Sequence, residues 1–298
     1  MTPRRRYIVE GNGPHHLDGM LARREALRRL ALLGVGAAVA PALIGACAEN
    51  KKPAPGSTTT SAPPPPGSEH TLPTAPVNWP GPNGQLQGAW AETANPRGAV
   101  LVIHGNRGLN DWVRSVTGRF AGAGYSALAV DLLSEEGGRP TFTSDDQATA
   151  ALGKVPNDRL NADVKSGVDE LQRRLPDKKL AVAGFSFGGR LVWQLLAAGE
   201  PRLSAAVPFY GPWPGNVDFS GSKQAAVLAF YGSLDNRVTS TQQSARDALD
   251  RAGMVNKVIV EQNADHSFFN DADPQRYNRT AAADAWERTL DWLGRYLG

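Results

Sequence analysis

Residues 180–199 read LAVAGFSFGGRLVWQLLAAG, an apolar run that passes directly into Gly184-Phe185-Ser186-Phe187-Gly188 and then into a helical pattern. A chain turns this abruptly from strand to helix only where side chains are nearly absent, because Cβ atoms at 184 and 188 would meet neighbouring backbone. The turn lifts Ser186 Oγ above the edge of a sheet. It also points the N-terminus of the next helix at that oxygen, which favours developing negative charge. The pentapeptide alone is a weak signal. With a strand before it and a helix after it, Ser186 is a candidate nucleophile rather than part of a structural turn.

A serine hydroxyl needs a base to attack. Of the five histidines, His15 and His16 lie near the N-terminus, His70 lies in a proline-rich stretch, and His104 precedes Ser186. His266, in Asn263-Ala264-Asp265-His266-Ser267-Phe268-Phe269, follows Ser186 by 80 residues. On strand–turn–helix scaffolds of this kind the order along the chain is nucleophile, acid, histidine, which selects His266 as general base. The acid belongs on a loop between the two, and VLAFYGSLD delivers Asp235 there to accept Nδ1–H of His266. Asp218 and Asp265 are rivals; the first follows a proline-rich loop, and the second adjoins His266 too closely to face its ring. Two backbone N–H groups are needed for an oxyanion, and the candidates are Phe187 and Asn106. Asn106 lies in the loop His104-Gly105-Asn106-Arg107-Gly108-Leu109-Asn110, which otherwise reads as an ordinary glycine-rich connection.

Around these residues, short apolar or β-branched runs alternate with longer amphipathic segments from about Trp79 to Gly298. Strands are expected over 99–104, 126–131, 180–184, 205–210, 227–231 and 257–261, and helices over 111–123, 158–175, 187–198, 241–252 and 275–297. Residues 85–92 read as an antiparallel edge strand or hairpin. This order predicts an α/β domain over 79–298, with a mostly parallel central sheet and helices on both faces.

The first 78 residues are of a different kind. Residues 1–46 hold seven arginines against Glu10, Asp18 and Glu25, a net of +4, so the formal +3 of the whole chain leaves −1 on the remaining 252 residues. That balance opposes a nucleic-acid-binding role for the folded part. Arg23-Arg24 opens a twin-arginine-like pattern, followed by 17 uncharged residues from Leu30 to Ala46. Ile44-Gly45-Ala46-Cys47 is similar to a bacterial lipobox, so Cys47 is the expected lipidation site of an exported, membrane-anchored protein. An uncleaved N-terminal anchor is the alternative, and translation from Met20 would shorten the leader. From Ala48 to Asn78, 18 of 31 residues are Pro, Ser, Thr or Gly, which predicts an extended tether over 47–78. A single cysteine excludes a disulfide framework and any cysteine-built metal site.

The stretches VLVIHGNRGLN, GYSALAVDLL, VAGFSFGG, VPFYG, YGSLDNRV, ADHSFFND and RYNRTAAADAWERTLDWL together resemble the dienelactone hydrolase family of α/β-hydrolases, over most of residues 85–298. The resemblance implies hydrolysis of an ester or lactone through an acyl-enzyme, without metal or cofactor. Three departures stand out. Ser186 replaces the family's usual Cys, and Gly105 replaces a Glu thought to manage the state of that thiol. The two changes are coherent, since a serine activated by His266 needs no carboxylate to control a thiolate. Where an Arg behind the histidine helps hold a substrate carboxylate, this chain has Ser267, Phe268, Phe269 and Asn270. The expected substrate is therefore a neutral or apolar ester lined by Phe185, Tyr210, Trp213 and Phe268, with Arg107 or Arg139 as substitute cations for an anionic one. The alternatives are a carboxymethylenebutenolidase proper, a peptidase of the same fold, or a non-catalytic surface binding module.

Overall fold

Strands covered on both faces carry apolar side chains at successive positions, and the central segments of this chain do so. A computed structural model describes residues 63–298 except Asn216; the leader over 1–46, Cys47 and the tether up to residue 62 lie outside the described residues. The elements are β1 (Ala75–Pro80), β2 (Gln85–Ala91), β3 (Gly98–Ile103), α1 (Asp111–Gly122), β4 (Tyr125–Asp131), α2 (Asp145–Leu152), α3 (Asn157–Arg174), β5 (Leu180–Phe185), α4 (Phe187–Ala197), β6 (Leu203–Phe209), β7 (Ala226–Gly232), α5 (Asn236–Thr239), α6 (Gln242–Arg251), β8 (Asn256–Glu261) and α7 (Arg279–Tyr296). They form one eight-stranded sheet in the order β1-β2-β4-β3-β5-β6-β7-β8. β2 runs antiparallel to β1 and β4, and every other pair is parallel. This is the α/β-hydrolase arrangement expected.

β3, β4, β5 and β7 are buried at every position. Alternate residues feed two separate apolar layers. Leu101, Leu128, Val182 and Val227 pack with α3, α4 and α6, and Val100, Ala127, Val207 and Phe230 pack with α1 and α7. After β3 the chain adds β4 on one side, then returns to place β5 on the other. The loops after β3 and β5 thus diverge at a switch in strand order, where open α/β sheets leave a crevice at the carboxyl ends of their strands. Asn106 and Ser186 sit on those two loops.

The structure departs from the expectation in several places. Residues 63–78, read as the end of the tether, belong to the domain, with a helical turn over Ser68–His70 followed by β1. The prolines hid this strand. β1 is an edge strand, where Pro76 and Pro80 are tolerated, and its Trp79 is 3% exposed with Nε1 donating to Ser166 Oγ at 3.1 Å. Just before it the chain lies against α1, whose Gly118 and Gly122 leave room for the carbonyls of Leu72 and His70. The second departure is α2, capped by Ser144, whose side chain accepts the N–H of Gln147. The last helix also starts later than expected, at Arg279, because Asn278 caps it by accepting from Ala281 N–H.

One buried carboxyl tunes the fold to pH. Burial first, and the adjacent Asp284 second, push Glu261 from an ordinary 4.5 up to about 7. Its folded value lies above its unfolded one, so its contribution to stability is intact below about pH 4.5 and is lost as pH rises through about 7. Glu261→Gln should flatten that decline. Denaturant melts should find the variant more stable than wild type at about pH 8, by on the order of 1–3 kcal/mol, and not at about pH 4.

Candidate active site

β5 ends at Phe185 and α4 begins at Phe187, so Ser186 alone makes the turn, with φ at 55° and ψ at −108°. The conformation is unfavourable for a residue with a Cβ and has to be imposed by the surroundings. A Cβ on Gly188 would fall on the carbonyl of Ile103, and one on Gly184 would fall on the carbonyl of Gly188. Ser186 N–H donates to Phe209 O at 3.0 Å, and Ser186 O accepts from Arg190 N–H at 3.0 Å. The hydroxyl is thereby held above the ends of the strands.

Ser186 Oγ lies 2.7 Å from His266 Nε2, and His266 Nδ1 lies 2.6 Å from Asp235 Oδ2. Asp235 follows β7 as the N-cap of α5, where its other oxygen, Oδ1, accepts Val238 N–H at 3.3 Å. Burial works to raise this carboxyl, but the hydrogen bond and charge of His266, with the Val238 N–H, hold it below its ordinary value. A carboxylate in this state fixes Nδ1–H on the imidazole and leaves Nε2 free to accept a proton from the serine. Asp265 engages the backbone instead, accepting His266 N–H at 2.7 Å, and the exposed Asp218 turns back on Ser220. His104 is fully buried, with its ring nitrogens engaged by Gly105 O and Leu132 N–H.

The histidine loop has an anchor of its own. Asp271, five residues after His266, accepts from Trp112 Nε1 at 3.0 Å and pairs with Arg119 Nη2 at 2.8 Å. Arg119 is 3% exposed, so the pair is shielded from solvent and joins the loop firmly to α1. Tyr210 (φ 39°) packs its ring 5.2 Å from that of His266.

Ser186 and His266 open into a cavity of about 430 Å³. Asn106 and Phe187 line it, and among the described residues no acceptor takes the N–H of either. Phe185 and Tyr210 line it as expected, but Phe268 and Trp213 do not. Phe268 is fully buried beneath Tyr210, with ring centres 5.3 Å apart, and Trp213 packs in the opposite core layer against Trp193 at 5.2 Å. Beside Phe185 and Tyr210, the lining is more cationic than these aromatics led one to expect. Arg107, Arg190, Arg237 and Arg276 face the cavity against one carboxylate, Asp273. Arg107 lies between Asp145 and Asp273 at 3.5 and 3.7 Å, and Arg190 reaches Asn157 at 2.9 Å. Arg237 and Arg276 make no ion pair among the described residues. Arg139 is absent from the lining; its Nε donates to Arg107 O at 2.7 Å and its Nη2 to Asp145 at 2.7 Å.

Sequence reading missed Arg190, Arg237, Arg276 and Asp273. Arg190 stands four residues after Ser186 and Arg237 two after Asp235, so both were within reach of a local argument. Arg276 and Asp273 arrive only through the fold of the histidine loop. Among the described residues no group of three or more His, Cys, Asp or Glu side chains could hold a metal ion, and no helix is long and apolar enough to cross a membrane.

Comparison with known proteins places the chain in a family. A candidate carboxymethylenebutenolidase from Escherichia coli is 32% identical over 219 residues, covering 70% of this chain and 80% of its own. Another, from Synechocystis, is 30% identical over 241 residues, covering 73% and 94%. The crystal structure of a candidate dienelactone hydrolase from Klebsiella pneumoniae superposes with a TM-score of 0.63 at 27% identity, over 75% of this chain and 99% of that one. The profile of the dienelactone hydrolase family matches residues 86–297. The chain therefore belongs to the dienelactone hydrolase family and is a carboxylic ester hydrolase.

Proposed function

We propose that the protein cleaves its ester or lactone as a serine hydrolase, with Ser186 as nucleophile, His266 as general base and Asp235 as the acid that orients the imidazole. The observation that carries this reading is the hydrogen-bonded chain Ser186–His266–Asp235, at 2.7 and 2.6 Å, opening into the cavity. Ser186 Oγ attacks the carbonyl carbon while its proton passes to His266 Nε2. The carbonyl oxygen becomes an oxyanion held by the N–H groups of Asn106 and Phe187, the latter at the positive end of α4. Collapse expels the alcohol or enol with the proton from His266, leaving an acyl-serine. Water, deprotonated by the same Nε2, attacks the acyl group and returns the free enzyme.

The cationic lining favours a carboxymethylenebutenolidase-like substrate, an ester or lactone carrying a carboxylate, over the neutral ester expected from sequence. Arg237 and Arg276 take the part first assigned to Arg107 or Arg139, because the latter two are already committed to carboxylates or carbonyls. For localisation, the twin-arginine-like leader and the lipobox-like Ile44-Gly45-Ala46-Cys47 support export and anchoring through a lipid on Cys47. The tether then holds the domain at the outer face of the cytoplasmic membrane.

Three measurements test these readings. Ser186→Ala should lower kcat on a p-nitrophenyl ester by a factor on the order of 10⁴, and Asp235→Asn by a similar factor with the fold retained. Turnover unchanged in Ser186→Ala would remove the mechanism. Replacing Arg237 and Arg276 together by Ala should raise KM for a carboxylate-bearing dienelactone by roughly tenfold or more while leaving the neutral ester within about twofold. Equal effects on both would return the neutral reading. Fatty-acid labelling of the full chain in a bacterial host should be lost in Cys47→Ser.

A further inference from the structure

The oxyanion donor on the loop after β3 is a single peptide group, and what aims it is visible. Gly105 contributes the carbonyl of that peptide and Asn106 the N–H. A Cβ built on Gly105 would lie 4.0 Å from Ser186 Cβ, so the peptide borders the proposed nucleophile. No peptide bond in the chain is cis among the described residues, so the carbonyl and the N–H leave this one on opposite edges.

The carbonyl edge is held by two donors. Gly108 N–H reaches Gly105 O at 3.2 Å, and His104 Nδ1 lies 2.7 Å from the same oxygen. The far side of the imidazole settles which nitrogen carries its proton. His104 Nε2 receives Leu132 N–H at 3.1 Å and is therefore the acceptor, so a neutral ring carries its hydrogen on Nδ1 and donates it to Gly105. Burial favours that neutral ring by lowering the pKa of His104 below its ordinary value. Donation to the carbonyl also polarises the peptide and makes the opposite N–H a stronger donor.

We propose that His104 is a positioning residue for the oxyanion hole: its Nδ1–H holds the Gly105–Asn106 peptide with the Asn106 N–H directed at the oxygen of the tetrahedral intermediate. It touches no substrate. The proposal rests on Ser186 acting as the nucleophile. A purely structural reading would give His104 only the task of satisfying the buried Leu132 N–H.

Two amide substitutions separate those tasks in the full-length protein. His104→Gln places an acceptor near the position of Nε2 and keeps the Leu132 contact, whereas His104→Asn places a donor near the position of Nδ1 and keeps the Gly105 contact. The assay is kcat and KM on p-nitrophenyl acetate, together with inhibition by phenylboronic acid, which binds serine as a tetrahedral anion. His104→Gln and His104→Ala should lose roughly tenfold to a hundredfold in kcat, with KM within about twofold. Their affinity for the boronic acid should fall by the same factor, while His104→Asn stays within about threefold of wild type. Wild-type kcat in His104→Gln, or a loss in His104→Asn as large as in His104→Gln, would overturn the proposal. Should the variants fail to fold, nitrogen-15 shifts of His104 in the wild-type protein decide: a neutral ring protonated on Nδ1 is the expected state, and protonation on Nε2 contradicts it. Ser186→Ala run in parallel keeps the failures apart. Turnover surviving there removes the acyl-enzyme reading and this proposal with it, whereas full kcat in His104→Gln beside an inactive Ser186→Ala overturns this proposal alone.

Discussion

Ser186 is held at a positive φ by packing that leaves its backbone no other place to go. Gly184, Gly188 and Gly189 bring α4 against the ends of β3 and β6 closely enough that added Cβ atoms would collide with main-chain atoms. Ser186 N–H is bound to Phe209 O across the sheet. Backbone strain of this sort costs on the order of 1–3 kcal/mol and persists only where neighbouring elements over-determine it. The reward is positional. The hydroxyl stands at the carboxyl end of the sheet, the first turn of α4 points its free N–H groups at the same space, and the β3 loop supplies a second donor from the other side of the switch in strand order. The four loops that meet there follow β3, β5, β7 and β8, so the site exists only once those parallel strands have assembled.

The rest of the site is fixed by two polar brackets, the first largely shielded from solvent and the second exposed. Asp271 ties the histidine loop to α1 through Arg119 and Trp112, and Arg139 ties the β3 loop to the start of α2 through Arg107 O and Asp145. Removing one partner of the buried Arg119–Asp271 pair would leave an uncompensated charge, which is why such a pair fixes a geometry even where it adds little net stability. With Arg139 and Arg107 engaged, Arg237 and Arg276 are left without an ion pair among the described residues, and their field extends over a cavity lined, among those residues, by one carboxylate, Asp273.

Ser186, Asp235 and His266 were legible in the sequence because each is announced locally, by a glycine-flanked turn, by a strand running into a polar loop, and by the shortage of downstream histidines. The fold brings the three to hydrogen-bond distance. The substrate-facing side chains were less legible. Phe268 and Trp213 looked available as aromatics near the site, but composition does not say which side of a loop faces the core, and both turned inward. Arg276 reaches the cavity through a loop whose path depends on the Asp271 bracket. β1 was obscured by prolines that mimic a linker and are harmless only because the strand lies at an edge. Parallel strands with an unbroken apolar pattern were the easiest to place.

If ester cleavage passes through a covalent acyl group on Ser186, rapid-quench mass spectrometry of the protein mixed with a slowly deacylating p-nitrophenyl ester captures it. The expected result is one acyl group per chain, formed at the rate of the nitrophenol burst and located by proteolysis on the peptide containing Ser186. Turnover at full rate with no adduct, or an adduct on any other residue, would contradict it.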